Sequence, residues 1–392
     1  MATKGTAKVA MARLGALVEE SSVRNRANEV LVVYSVTNSG GFVPSAEYFS
    51  KEVFSKNLKT YKIVSPGMFA YNPSRINVGS VNWWNGDESV VVSPLYIVFK
   101  VDMSKIDQGY LNYFLHSSVA LSQIRNLTSG SVRDSLKFSA FGKLEIPLPP
   151  LDGQRRIAGE LDRICELKKN AEERLALLDQ LAKSLFVEMF GANLGPEIFP
   201  LKPLSEVADV VSGITKGRKP KTSDLKSVPY MAVSNVKDGY IDWTTVKNIE
   251  ATQAEIDQYR LMPDDILMTE GGDPDKVGRG ALIKTPPQDC IHQNHIFRVR
   301  VGRNILTPVY FEHFLQTPHA KQYFLKSAKQ TTGIASINMG QLKRLQVVIP
   351  PLNLQKKYAA FVEQLDKSEF ALRTTIETLD TLYRQRLQEH FA

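Results

Sequence analysis

The sequence predicts a mixed α/β protein built twice: two mixed α/β domains related by internal duplication and joined by two long helices that form an antiparallel coiled coil. Three observations predict this. A 46-residue stretch returns without a gap at an offset of 201. Each copy carries an apolar repeat of coiled-coil spacing. The longer segment before each copy contains strand-like runs followed by a helical stretch. The resulting boundaries are 1–148 for the first domain, 149–195 for a central spacer helix, 196–349 for the second domain and 350–392 for a C-terminal spacer helix.

The duplication is clearest at a proline-marked junction. Ile146-Pro147-Leu148-Pro149-Pro150-Leu151 with Gln154 returns as Val347-Val348-Ile349-Pro350-Pro351-Leu352 with Gln355. Leu178-Asp179, Leu181, Glu188 and Phe190 return as Leu379-Asp380, Leu382, Glu389 and Phe391. The segments ahead of the junctions match more loosely, as in Tyr61 through Ala70 against Tyr259 through Met268.

Each proline pair closes a strand-like run and punctuates the start of a helix. In the first copy Ile157, Leu161, Ile164, Leu175, Leu178 and Leu185 fall on one seam, broken only by Lys168. In the second Val362, Leu365, Leu372, Ile376 and Leu379 repeat it, with Glu369 where the first has Lys168. Two matched seams favour packing against each other, with Lys168 and Glu369 helping to fix register; the alternative is that each helix packs on its own domain. Some 35 residues at the helical rise span about 50 Å.

Within the domains, Val30 to Val36, Val90 to Val101, Val228 to Val233 and Ile291 to Val301 are strand-like. Gly109 to Leu127 and Pro308 to Ala328 are helical, and each is followed by a polar loop.

The chain carries a net charge of +8, and its distribution is informative. Residues 1–145 hold 16 Lys and Arg against 11 Asp and Glu, and residues 196–345 hold 20 against 16, whereas the spacer segments are close to neutral. Two separate basic surfaces suit two contacts with phosphate backbones. Cys165 and Cys290 are too few for a disulfide framework or a zinc site. No apolar run approaches membrane-spanning length, and a cytoplasmic protein is expected.

Taken together, the Pro-Pro-Leu-x-x-Gln junctions at 149–154 and 350–355, the helices after them, and the run from Leu178 to Gly191 resemble the specificity subunit of Type I restriction–modification systems. The resemblance covers essentially the whole chain. It implies that each domain is a target-recognition domain reading one half of a bipartite site in double-stranded DNA. It also implies that the helices set the spacer and dock two modification subunits, with up to two restriction subunits joining them. S-adenosylmethionine and ATP with Mg are then expected only in those partners, and no cofactor or membrane contact in this chain.

Base reading needs donors and acceptors that reach base edges, and phosphate contacts need cations. The candidates in the first domain are Asn72 and Arg75 in one turn, and Ser129, Ser131 and Arg133 in the polar loop. In the second they are Lys216, Arg218, Lys219 and Lys221, then Lys276 and Arg279 in a Gly-rich stretch, and Gln330, Thr331 and Thr332. A solvated basic loop is the competing explanation for the cluster from Lys216 to Lys221.

No catalytic residue or metal site is predicted. The chain lacks a GxxxxGK[ST] phosphate loop. Tyr71-Asn72-Pro73-Ser74 lacks the second proline and final aromatic of an adenine-methyltransferase tetrapeptide. His292 and His295 have no third ligand, and Asp264, Asp265 and Glu270 lack a nuclease lysine. Two other readings compete: a coiled-coil adaptor with incidental basic loops, and a methyltransferase or nuclease in its own right.

Overall fold

The computed structural model describes residues 9–30, 32–38, 40–48, 57–128, 135–191, 197–218, 224–273, 276–331 and 334–392. The chain divides into two compact units, Met1–Glu173 with Arg373–Ala392, and Arg174–Leu372. Each long helix, Leu151–Phe190 and Leu352–Phe391, therefore begins in one unit and ends in the other.

In the first unit a four-stranded antiparallel sheet has the order Val18–Ser21, Ile97–Val101, Phe69–Tyr71, Val81–Trp83. The second unit repeats it as Ala208–Ser212, Ile296–Val301, Ile266–Thr269, Gly280–Leu282. Backbone specials repeat as well. Gly67 and Asp264 occupy matching turns at φ +82° and +74°, and Gly79 and Gly278 do so at +90° and +74°. A short strand closes each domain at its junction: Met11–Arg13 pairs with Glu145–Pro147, and Leu201–Pro203 with Gln346–Val348.

Several continuous runs in the sequence are broken in the structure. Val90 to Val101 splits into Val90–Val92 and Ile97–Val101, which belong to different sheets, because a turn closes from Tyr96 N to Ser93 O at 3.0 Å. Ile291 to Val301 breaks at the same place, where Ile296 N bonds Gln293 O at 2.9 Å. Both helical stretches are also two helices each. Ser117 ends Gln108–His116, and Thr317 caps Pro318–Ser327 by accepting from Ala320 N.

The Gln repeated at each junction locks helix to domain. Gln154 is fully buried; its Oε1 accepts from Asp107 N at 2.8 Å, and its Nε2 donates to Lys105 O at 3.1 Å and Pro149 O at 2.8 Å. Gln355 repeats all three bonds, from Thr307 N at 2.8 Å and to Ile305 O and Pro350 O at 3.0 and 2.8 Å. A side chain with one acceptor and two donors is what one backbone N–H and two carbonyls require.

The helix ends dock in matched sockets. In the first unit Phe391 lies 5.0 Å from the ring of Tyr110, whose hydroxyl donates to Pro147 O. In the second Phe190 lies 4.8 Å from Tyr310, whose hydroxyl donates to Val348 O. The seam residues Ile157 and Leu161 join the first domain's core, and Val362 joins the second's. Ile164 is buried, while Leu175, Leu178, Leu185, Leu365, Leu372, Ile376 and Leu379 are half-buried. The helix starts thus pack on their own domains as well as on a helical neighbour. Within the first unit Glu160 meets Arg386 at 2.8 Å and Lys168 meets Asp380 at 2.7 Å, so the two helices run antiparallel. Lys168, the break in the apolar seam, is thereby satisfied across it.

Candidate nucleic-acid interface

Strand direction separates two ends of each main sheet. One end, at Val101 and Val301, leads into the helix that the buried Gln fastens. At the other end lie Ser21, Tyr71, Val81 and Ile97 in the first unit, and Ser212, Thr269, Gly280 and Ile296 in the second. Loops at this far end leave the sheet opposite the helix junction, where sequence can change without altering the junction's own hydrogen bonds.

The described candidates from the sequence fall at this far end. Asn72 follows Tyr71 directly; its N–H bonds Ser80 O at 3.0 Å and its Oδ1 accepts from Ser74 N at 3.1 Å, which shapes the turn that leaves Arg75 exposed. In the second unit Lys216 lies just past Ser212. Arg279 precedes Gly280, with its carbonyl accepting from Thr269 N at 3.2 Å. Lys276 pairs with Asp273 in the same loop. A cleft of about 530 Å³ opens beside Lys216, lined also by Ser234, Lys247, Asn248 and Gln293.

Arg218 is placed differently from its basic neighbours. Its Nε and Nη2 grip the two oxygens of Glu255 at 2.6 and 2.7 Å, and Nη2 also reaches Glu250 O. The bonded guanidinium holds the Glu255 carboxyl down at about 2. Glu255 meanwhile caps the helix Gln253–Tyr259 in a box with Thr252. This fork binds a loop to a helix, a structural role that sequence reading did not separate from phosphate binding.

Ser129, Ser131, Arg133, Lys219, Lys221 and Thr332 lie outside the described residues, as do the side chains of Gln330 and Thr331. The backbone of those last two belongs to the strand Lys329–Thr331, in a small sheet with Ile334–Ser336 and Gly271–Gly272.

The two histidines separate in the fold. His292 is buried, its Nδ1 3.1 Å from Ile296 O, and burial pushes its pKa down to about 4. His295 is exposed, and its Nδ1 lies 2.6 Å from Glu270 Oε2. Sequence reading weighed His295 and Glu270 only as metal or nuclease groups. Their positions directly before and after far-end strand termini, at Ile296 and Thr269, were the available signal.

Comparison with known proteins bears on this arrangement. A family model described as "Type I restriction modification DNA specificity domain" matches residues 34–179 and 197–379. The chain is similar to the EcoKI specificity subunit of Escherichia coli K12, with 27% identity over 288 residues, covering 69% of this chain and 60% of that protein. It is 26% identical over 198 residues to the putative MjaX specificity subunit of Methanocaldococcus jannaschii, covering 50% of this chain and 46% of that one. The chain thus spans about half to 60% of the length of these relatives. Its fold is similar to that of a Type I S subunit from M. genitalium, with a TM-score of 0.58 at 13% identity over 100% of this chain and 98% of that one.

Proposed function

Because the chain belongs to the Type I restriction modification DNA specificity family, we propose that it reads a bipartite target in double-stranded DNA, one half with each domain, and directs partner subunits to it. The duplicated far end carries this reading: two equivalent sheets each present polar loops with cations away from the helix junction. Cations such as Arg75 and Lys216 would set register on phosphates, while amide and carboxylate side chains beside them read base edges. The spacer helices would fix the gap between half-sites and dock two modification subunits. Leu167, Leu177 and Leu181 are each about half exposed or more on the central helix and offer apolar contact area for that docking. Methylation, with its S-adenosylmethionine, and ATP- and Mg-dependent cleavage would belong to partners. No described helix is long and apolar enough to cross a membrane.

Selection from a randomised duplex library by the chain assembled with its modification subunits tests this. Enrichment of two short motifs at a fixed separation is expected. Salt-sensitive binding without sequence enrichment would instead favour the adaptor reading.

A further inference from the structure

Glu270 is an acceptor-only group at the far end of a sheet, where the loop after Ser212 carries Lys216 and Arg218 and its own loop holds Asp273 and Asp275 beside Lys276 and Arg279. Its backbone is pinned on both sides, by Glu270 N to His295 O at 3.0 Å and Ile337 N to Glu270 O at 2.8 Å. The side chain is fixed as well, with His295 Nδ1 at 2.6 Å from Oε2. The other ring nitrogen lies 3.4 Å from Asn294 Nδ2, a donor, so the ring accepts there and donates from Nδ1 to the carboxylate. Among the described residues no hydrogen bond is made to Oε1. The pair remains open, with side-chain exposures of 34% for Glu270 and 56% for His295.

The surroundings leave room for an approaching group. Val233, Gly271 and Ser336 complete a depression of about 330 Å³ around the pair. Gly271 packs closely on the neighbouring strand, where a Cβ would lie 3.0 Å from Ala335 O. A carboxylate in a DNA-facing surface is repelled by phosphates and by the acceptor atoms of guanine and thymine. It is favourable there only opposite a donor, and the base donors of the major groove are the exocyclic amines.

We propose that Glu270, held in place by His295, reads an exocyclic amino group, cytosine N4 or adenine N6, in the half-site recognised by the second domain. The inference rests on the chain being a DNA specificity subunit and adds one base-reading contact to it. By strand register the first domain has Pro73 at the matching place, two residues past Tyr71, so the contact belongs to one half-site only. His295 is a positioning residue and touches no base.

The test uses the full chain assembled with its modification subunits, with methylation of duplex libraries as readout. Glu270→Ala and the near-isosteric Glu270→Gln are expected to reduce discrimination at one position of the second half-site by roughly 10- to 100-fold, leaving the first half-site unchanged. His295→Ala should weaken discrimination at that same position, and His295→Gln, which keeps a donor, should restore part of it. Duplexes carrying purine for adenine, or pyrimidin-2-one for cytosine, at that position remove the amine. The wild type should lose activity on one of them and Glu270→Ala should not, which also tells N6 from N4. Unchanged discrimination in folded Glu270 variants, or a change in the first half-site, overturns the inference. A wild-type assembly that selects no bipartite motif refutes the functional reading itself.

Discussion

Replacing Gln355 by Leu removes one acceptor and two donors from a fully buried site while keeping most of the volume. Thr307 N and the carbonyls of Ile305 and Pro350 then lose their partners beneath the helix start. A buried polar group left unpaired costs about 1–3 kcal/mol, so three lost bonds amount to roughly 3–9 kcal/mol. For a unit of this size even the low end corresponds to a fall in Tm of about 10 °C. Thermal unfolding followed by circular dichroism measures it, and hydrogen exchange at Thr307 locates it. The substitution Gln154→Leu should have a matching effect at the other junction, through Asp107, Lys105 and Pro149. A change in Tm below about 2 °C for both variants would show that the glutamines are not what fastens helix to domain.

Lys168→Met removes a partly exposed ion pair with Asp380 but places an apolar group on the seam, so stability should stay within about 1 kcal/mol of wild type in urea melts. Glu312 accepts from Leu282 N, and burial raises its carboxyl to about 7. With the folded value above the unfolded one, its contribution is present below about pH 4.3 and lost as pH rises through 7. The stability of wild type relative to Glu312→Gln should therefore fall between pH 5 and 8, and parallel urea midpoints would contradict it. Lys216→Gln should lower the slope of log K against log salt by about one phosphate contact without altering the selected motif. Gly278→Ala should unfold the second domain's loop end, since φ is +74° and the new Cβ would lie 2.2 Å from the Phe324 ring; soluble, normally melting protein would refute that.

The duplication and the helices were legible because apolar spacing at the seam and the Pro-Pro-Leu-x-x-Gln junction are local signals. The role of Gln154 and Gln355 was not: its partners lie about 50 residues upstream, and a repeated Gln says nothing of which carbonyls it meets. Residue spacing also could not show that Phe190 and Phe391 fill sockets on Tyr310 and Tyr110, although their identity in both copies marked them. Breaks such as Ser93 to Tyr96 were hidden by β-propensity on either side, with Pro94 the only cue. Charge singled out Lys216 and Arg218 alike as candidates, whereas only the fold shows Arg218 committed to Glu255. The Glu270–His295 pair joins residues 25 apart and required the sheet register to become visible.

Long-read mapping of methylated bases in host DNA, with and without this chain, tests the central claim most directly. The account predicts that one bipartite methylation motif, with a fixed gap between its halves, disappears when the chain is removed. An unchanged methylation pattern, with the modification subunits present and active, would contradict it.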